Sequence, residues 1–161
     1  MRLALYKAPG TLANKLIRMA THPGPYSHCE IVFSEALRHL VSPDQIIPHD
    51  AGGSLCYSSS SWTPRKGCAF ENINLADGKW DLIDIPVDIA QESAAVTLAI
   101  EDIGREYDWL GLGGFLLPKF PHERQKRFCS EECVNLMQIA GLLPGVIAHK
   151  TSPNSLSRLL T

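Results

Sequence analysis

The 161 residues are 45% hydrophobic and 20% charged, the balance of a single folded domain with a real core. A formal net charge of -2 argues against a nucleic-acid partner, because such domains carry a strongly basic footprint; Lys119 through Arg127 is the best local basic run. No stretch nears the ~20 apolar residues that span a bilayer, and the opening Met1-Arg2-Leu3-Ala4-Leu5-Tyr6-Lys7 is too short and too charged for a signal peptide.

In chain order, residues 2 to 6 predict a short strand. Thr11 is placed to cap a helix to about Ala20, with Leu12, Leu16, Ile17 and Met19 at helical spacing, and the Thr-His-Pro-Gly-Pro segment at 21 to 25 ends it. A strand is expected through His28-Cys29-Glu30-Ile31-Val32-Phe33. Residues 42 to 53, rich in Pro, Asp and Gly, predict a surface loop. Strands follow at Leu55 to Ser58, at Cys68 to Ile73 and at Trp80 to Ile85, the last alternating as a half-buried strand does. Asp88 can cap a helix to about Arg105, with Ile89, Val96, Ile100 and Ile103 as its buried face. Tyr107 to Pro118 is aromatic and Gly-rich and predicts an irregular, packed connection. A helix begins at or next to Cys129 and stops at Gly141, and Ser152-Pro153 opens a last short one. Strands bracketed by helices, without βαβ alternation, predict an α+β fold.

The chemistry centres on Cys129, in Arg127-Phe128-Cys129-Ser130-Glu131-Glu132-Cys133-Val134. A helix N-terminus presents unpaired N–H groups and a partial positive charge, which together stabilise a thiolate. The same N–H groups, that of Ser130 among them, can serve as oxyanion donors. A cysteine here is equally readable as a small buried hydrophobe. Five cysteines at scattered spacings predict reduced thiols and a cytoplasmic protein. Cys133, one turn later, could join Cys29, Cys56 or Cys68 around zinc, but no C-x2-C spacing supports a metal site.

Among six histidines, His28 opens an apolar strand and has Glu30 at i+2, on the same strand face. A carboxylate there would orient the imidazole and raise its pKa. His22, His39, His49, His122 and His149 sit in polar contexts and read as solvated.

Four segments carry a resemblance: Tyr26-Ser27-His28-Cys29-Glu30-Ile31-Val32, Cys56-Tyr57-Ser58-Ser59, Gly104-Arg105-Glu106-Tyr107-Asp108-Trp109 and Phe128-Cys129-Ser130-Glu131. Taken in this order, with the histidine ahead of the cysteine, they resemble the permuted papain-like hydrolases. These are circularly permuted relatives of NlpC-type peptidases and include YiiX-like proteins; lecithin–retinol acyltransferase-like enzymes belong to the same wider group. The short architecture is similar to phage and prophage members. The resemblance covers nearly the whole chain. It implies a small antiparallel sheet packed against helices, Cys129 as nucleophile and His28 as base. The family's third polar residue falls on the strand after the histidine strand, here at Ser58 or Ser59. A serine orients an imidazole less well than a carboxylate, so Glu30 is the substitute on chemical grounds and Ser58 the positional one. Tyr26 can offer a hydroxyl to the oxyanion.

The implied reaction is attack of the Cys129 thiolate on a carbonyl, giving an acyl-enzyme that water or another nucleophile releases. No metal or organic cofactor is required. The substrate is a peptide or other amide in one reading. In a second it is an acyl ester, as for a lipid hydrolase or acyltransferase, with Trp109-Leu110, Phe115-Leu116-Leu117 and Phe120 lining an apolar groove or simply packing the core. A non-catalytic phage structural or binding module that keeps the fold is the third.

Overall fold

A single six-stranded sheet forms the centre of the computed structural model, which describes residues 1–7, 15, 18, 23–50, 52–61, 66–113 and 125–161. The strands are β1 (Arg2–Tyr6), β2 (His28–Val32), β3 (Ile46–Pro48), β4 (Ser54–Ser60), β5 (Gly67–Ile73) and β6 (Trp80–Asp84), in the spatial order β3-β5-β4-β2-β1-β6. The chain is α+β, as its element order predicts, but the sheet is mixed rather than purely antiparallel. Four pairings are antiparallel, and the edge strand β3 runs parallel to β5 through Ile46↔Phe70. That edge strand lies in the segment expected to be loop.

Alternation along the strands divides the side chains between two faces. Leu3, Leu5, Cys29, Ile31, Tyr57 and Phe70 enter the main core. Ala4, Val32 and Cys56 form a smaller cluster of their own, against the half-buried Ile73, Leu75 and Trp80. The inner strand β1 carries three fully buried apolar residues in a row, the pattern of a strand covered on both faces.

The main core is covered by helices α1 (Ile89–Glu101) and α3 (Cys129–Ile139), joined by the one-turn α2 (Trp109–Gly113). Asp88 starts α1 through a capping box, its carboxylate accepting from the Gln91 N–H at 2.8 Å. The fully buried stripe of α1 is Glu92, Ala95, Val96 and Ala99; of the predicted face, Val96 is buried and Ile100 and Ile103 are half-buried against the core. Small alanines let the helix approach the core closely, and Glu92 is satisfied there by the Ser34 N–H at 2.6 Å and hydroxyl at 2.8 Å. Ile89, at the first position, is left 56% exposed. The last helix, α4 (Pro153–Leu160), is capped by Ser152, which accepts from the Ser155 N–H at 3.1 Å.

Of the predicted 11–20 helix only residues 15 and 18 are described, both helical; its other positions, the run 114–118 and most of the basic stretch after it lie outside the described residues. Among the described residues, no helix is long and apolar enough to cross a membrane.

Candidate active site

The start of α3 is set by the backbone on either side of it rather than by a side-chain cap. Arg127 forms a parallel bridge with Tyr107, its N–H donating to the Glu106 carbonyl and its carbonyl accepting from the Asp108 N–H, both at 2.9 Å. The Ser59 hydroxyl donates to the same Arg127 carbonyl at 2.7 Å. Phe128 is fully buried and extended, with no side-chain cap, so Cys129 occupies the first helical position. The first turn of such a helix has N–H groups without intrahelical acceptors.

Cys129 is only 2% exposed. The Cys29 thiol and the His28 ring lie within electrostatic reach of its sulfur. Burial opposes ionisation, yet the Cys29 thiol and then the His28 charge hold the thiol well below its ordinary range. Cys29 and Cys133, buried in the same cluster, are pushed up and remain thiols.

Strand β2 delivers the partner. Nε2 of His28 lies 3.1 Å from Oε1 of Glu30, which leaves Nδ1 as the ring nitrogen free for the thiol. The ring also stands edge-on to Trp80, with centroids 6.4 Å apart. Burial disfavours the imidazolium, but the Cys129 thiolate and then Glu30 outweigh it, so His28 titrates well above an ordinary histidine. The i, i+2 reading of the sequence thus places the carboxylate where the ring needs it.

The other candidate residues have different neighbours. The Ser58 hydroxyl donates to the Cys29 carbonyl at 2.7 Å, not to the ring, so Ser58 braces the β2 backbone beside the thiol. The Tyr26 hydroxyl donates to Oδ2 of Asp81 at 3.0 Å; β6 claims the group that was expected to face an oxyanion. Ser130 is fully buried beside Cys129, and its hydroxyl has no hydrogen-bond partner among the described residues. Trp109 is 54% exposed and packs edge-on against Tyr107, centroids 5.0 Å apart.

Two contributors escape the sequence reading. Tyr107 is buried within electrostatic reach of Cys129, and burial followed by the Cys129 charge raises its phenol well above the usual value. Behind Glu30 lies Glu71, pushed up to about 8 by burial and by the charge of Glu30, with His28 opposing. Oε2 of Glu71 is 2.8 Å from Nε2 of His49, whose side chain is exposed, as its polar sequence context suggests, yet partnered. The available signal was an acidic residue inside an apolar strand, Cys68-Ala69-Phe70-Glu71.

All five cysteines are free and buried. Among the described residues, no group of three or more His, Cys, Asp or Glu side chains is arranged to hold a metal ion. Comparison with family models, with curated proteins and with solved structures finds no match to this chain.

Proposed function

We propose that the chain is a cysteine hydrolase that cleaves an amide bond, with Cys129 as nucleophile, His28 as acid–base and Glu30 as the orienting carboxylate. One observation carries this reading: a helix-start thiol held low and a histidine held high by their mutual electrostatic influence, with a buried carboxylate 3.1 Å from one ring nitrogen. That is the chemistry of a nucleophile, a base and an orienting group. The order of histidine strand before cysteine helix supports a permuted papain-like arrangement. Five reduced thiols fit a reducing compartment, hence the cytoplasm.

In this mechanism the thiol proton resides on Nδ1 of His28. The thiolate attacks the carbonyl carbon, and the carbonyl electron pair moves to oxygen, where N–H groups of the first turn of α3 stabilise it. His28 gives its proton to the leaving amine as the C–N bond breaks, leaving a thioester on Cys129. Water, deprotonated by His28, then attacks the thioester and regenerates the thiol. Exposure of Trp109 and of Leu110, 40% exposed, next to Tyr107 favours an acyl ester as the second substrate class, since an apolar wall suits an acyl chain.

The test is labelling of the native protein with a carbonyl-directed electrophilic probe at pH 6, followed by peptide mapping. The expected result is modification of Cys129 ahead of the other four cysteines and none in Cys129→Ser. Absence of preferential labelling would instead favour a non-catalytic binding module.

A further inference from the structure

We propose that Asn154 is a positioning residue for His28, a role that rests on the hydrolase reading above and adds a residue from the opposite end of the chain. Asn154 is the second residue of α4 and is 2% exposed. Its side-chain amide holds both backbone groups of Tyr26: Oδ1 accepts from the Tyr26 N–H at 2.9 Å, and Nδ2 donates to the Tyr26 carbonyl at 3.0 Å. Tyr26 stands two residues before His28. The amide therefore does for this segment what a neighbouring strand does for a ladder, fixing the backbone just ahead of β2.

The approach of Asn154 requires the glycine opposite it. Gly24 has φ +151°, and a Cβ there would lie 2.1 Å from Oδ1 of Asn154. Arg158, one turn further along α4, donates to the Pro23 carbonyl at 2.8 Å. From the other side, the Tyr26 hydroxyl is tied to Asp81 of β6, and the Ser27 N–H donates to the Tyr6 carbonyl of β1 at 3.1 Å. The helix itself does not need the amide, because Ser152 already caps it. What the amide fixes is the path of the chain into His28. Displacing a catalytic group by ~1 Å can cost ~100-fold in rate, and the coupling between His28 and Cys129 depends on the same placement.

The test uses the pH dependence of Cys129 alkylation by iodoacetamide, with thermal stability read in parallel. Asn154→Ala and Asn154→Asp should each move the Cys129 titration upward by about one pH unit or more, a tenfold loss of thiolate at fixed pH. Gly24→Ala should do the same with Asn154 intact, because its Cβ displaces the amide. Thr97→Ala, which removes an exposed contact within α1, should leave the titration in place. If Asn154→Asp and Gly24→Ala lower the melting temperature but leave the titration at the wild-type position, Asn154 is merely structural and the proposal fails. If the wild-type thiol titrates as an ordinary cysteine, the hydrolase reading has failed instead, and the two failures are distinct.

Discussion

Replacing Glu30 with Gln removes one charge while keeping an oxygen where Nε2 of His28 now finds Oε1, 3.1 Å away. Glu30 is only 4% exposed, so solvent screens the pair weakly. An opposite charge at this range ordinarily moves a titration midpoint by ~1–3 pH units, about 1.4–4 kcal/mol. The low end is expected here, because the His28 side chain is still 20% exposed and Cys129 supplies the larger share of its stabilisation. The variant should therefore lower the His28 midpoint by at least about one pH unit, and the alkaline limb of Cys129 reactivity should move with it. Imidazole ¹⁵N shifts followed against pH read the first effect, and alkylation rates read the second. A His28 midpoint within ~0.3 units of wild type, well below the change expected from a neighbouring charge, would refute Glu30 as the orienting group.

Ser58→Ala removes a buried hydrogen bond to the Cys29 carbonyl and should cost about 1–2 kcal/mol in chemical denaturation. It should leave the His28 midpoint unchanged, which separates bracing from orienting. Glu132 is fully buried on α3, and burial, then the Asp102 charge, raise its pKa from 4.5 to about 7, with Arg127 opposing. Between those values the native state keeps a proton that the unfolded chain has lost, so stability falls as pH rises through the window. Glu132→Gln should flatten that fall by about 3 kcal/mol above pH 7, and a stability–pH profile that stays unchanged in the variant would contradict it.

Local signals in the sequence were followed closely by the backbone. The Asp88 cap, the helix start at Cys129 and the Ser152-Pro153 opening each depend on a few adjacent residues, and each reappears where the spacing puts it. Period-two alternation likewise places Glu30 beside His28. Long-range pairings were not readable. The three residues of β3 gain strand geometry only from β5, more than twenty positions away, and no local propensity in a Pro- and Asp-rich loop announces that. Ile89 reads as core by its hydrophobicity, but it is the first residue of α1 and stays exposed while Ala95, Val96 and Ala99 pack inward. Tyr26 and Ser58 were placed near the reacting atoms by position alone. Their hydroxyls are taken by Asp81 and by a β2 carbonyl, partners visible only once the sheet is assembled.

The central claim is that Cys129 is held ionised at rest by the Cys29 thiol together with its coupling to His28. The direct measurement is the iodoacetamide reactivity of Cys129 against pH in the wild-type protein and in His28→Ala, with folding monitored by circular dichroism. The account predicts a wild-type thiol that reacts well below the pH of an ordinary cysteine, and a His28→Ala protein, still folded, whose titration rises toward that of a free thiol at ~8.5. A His28→Ala titration that coincides with the wild-type curve would contradict it.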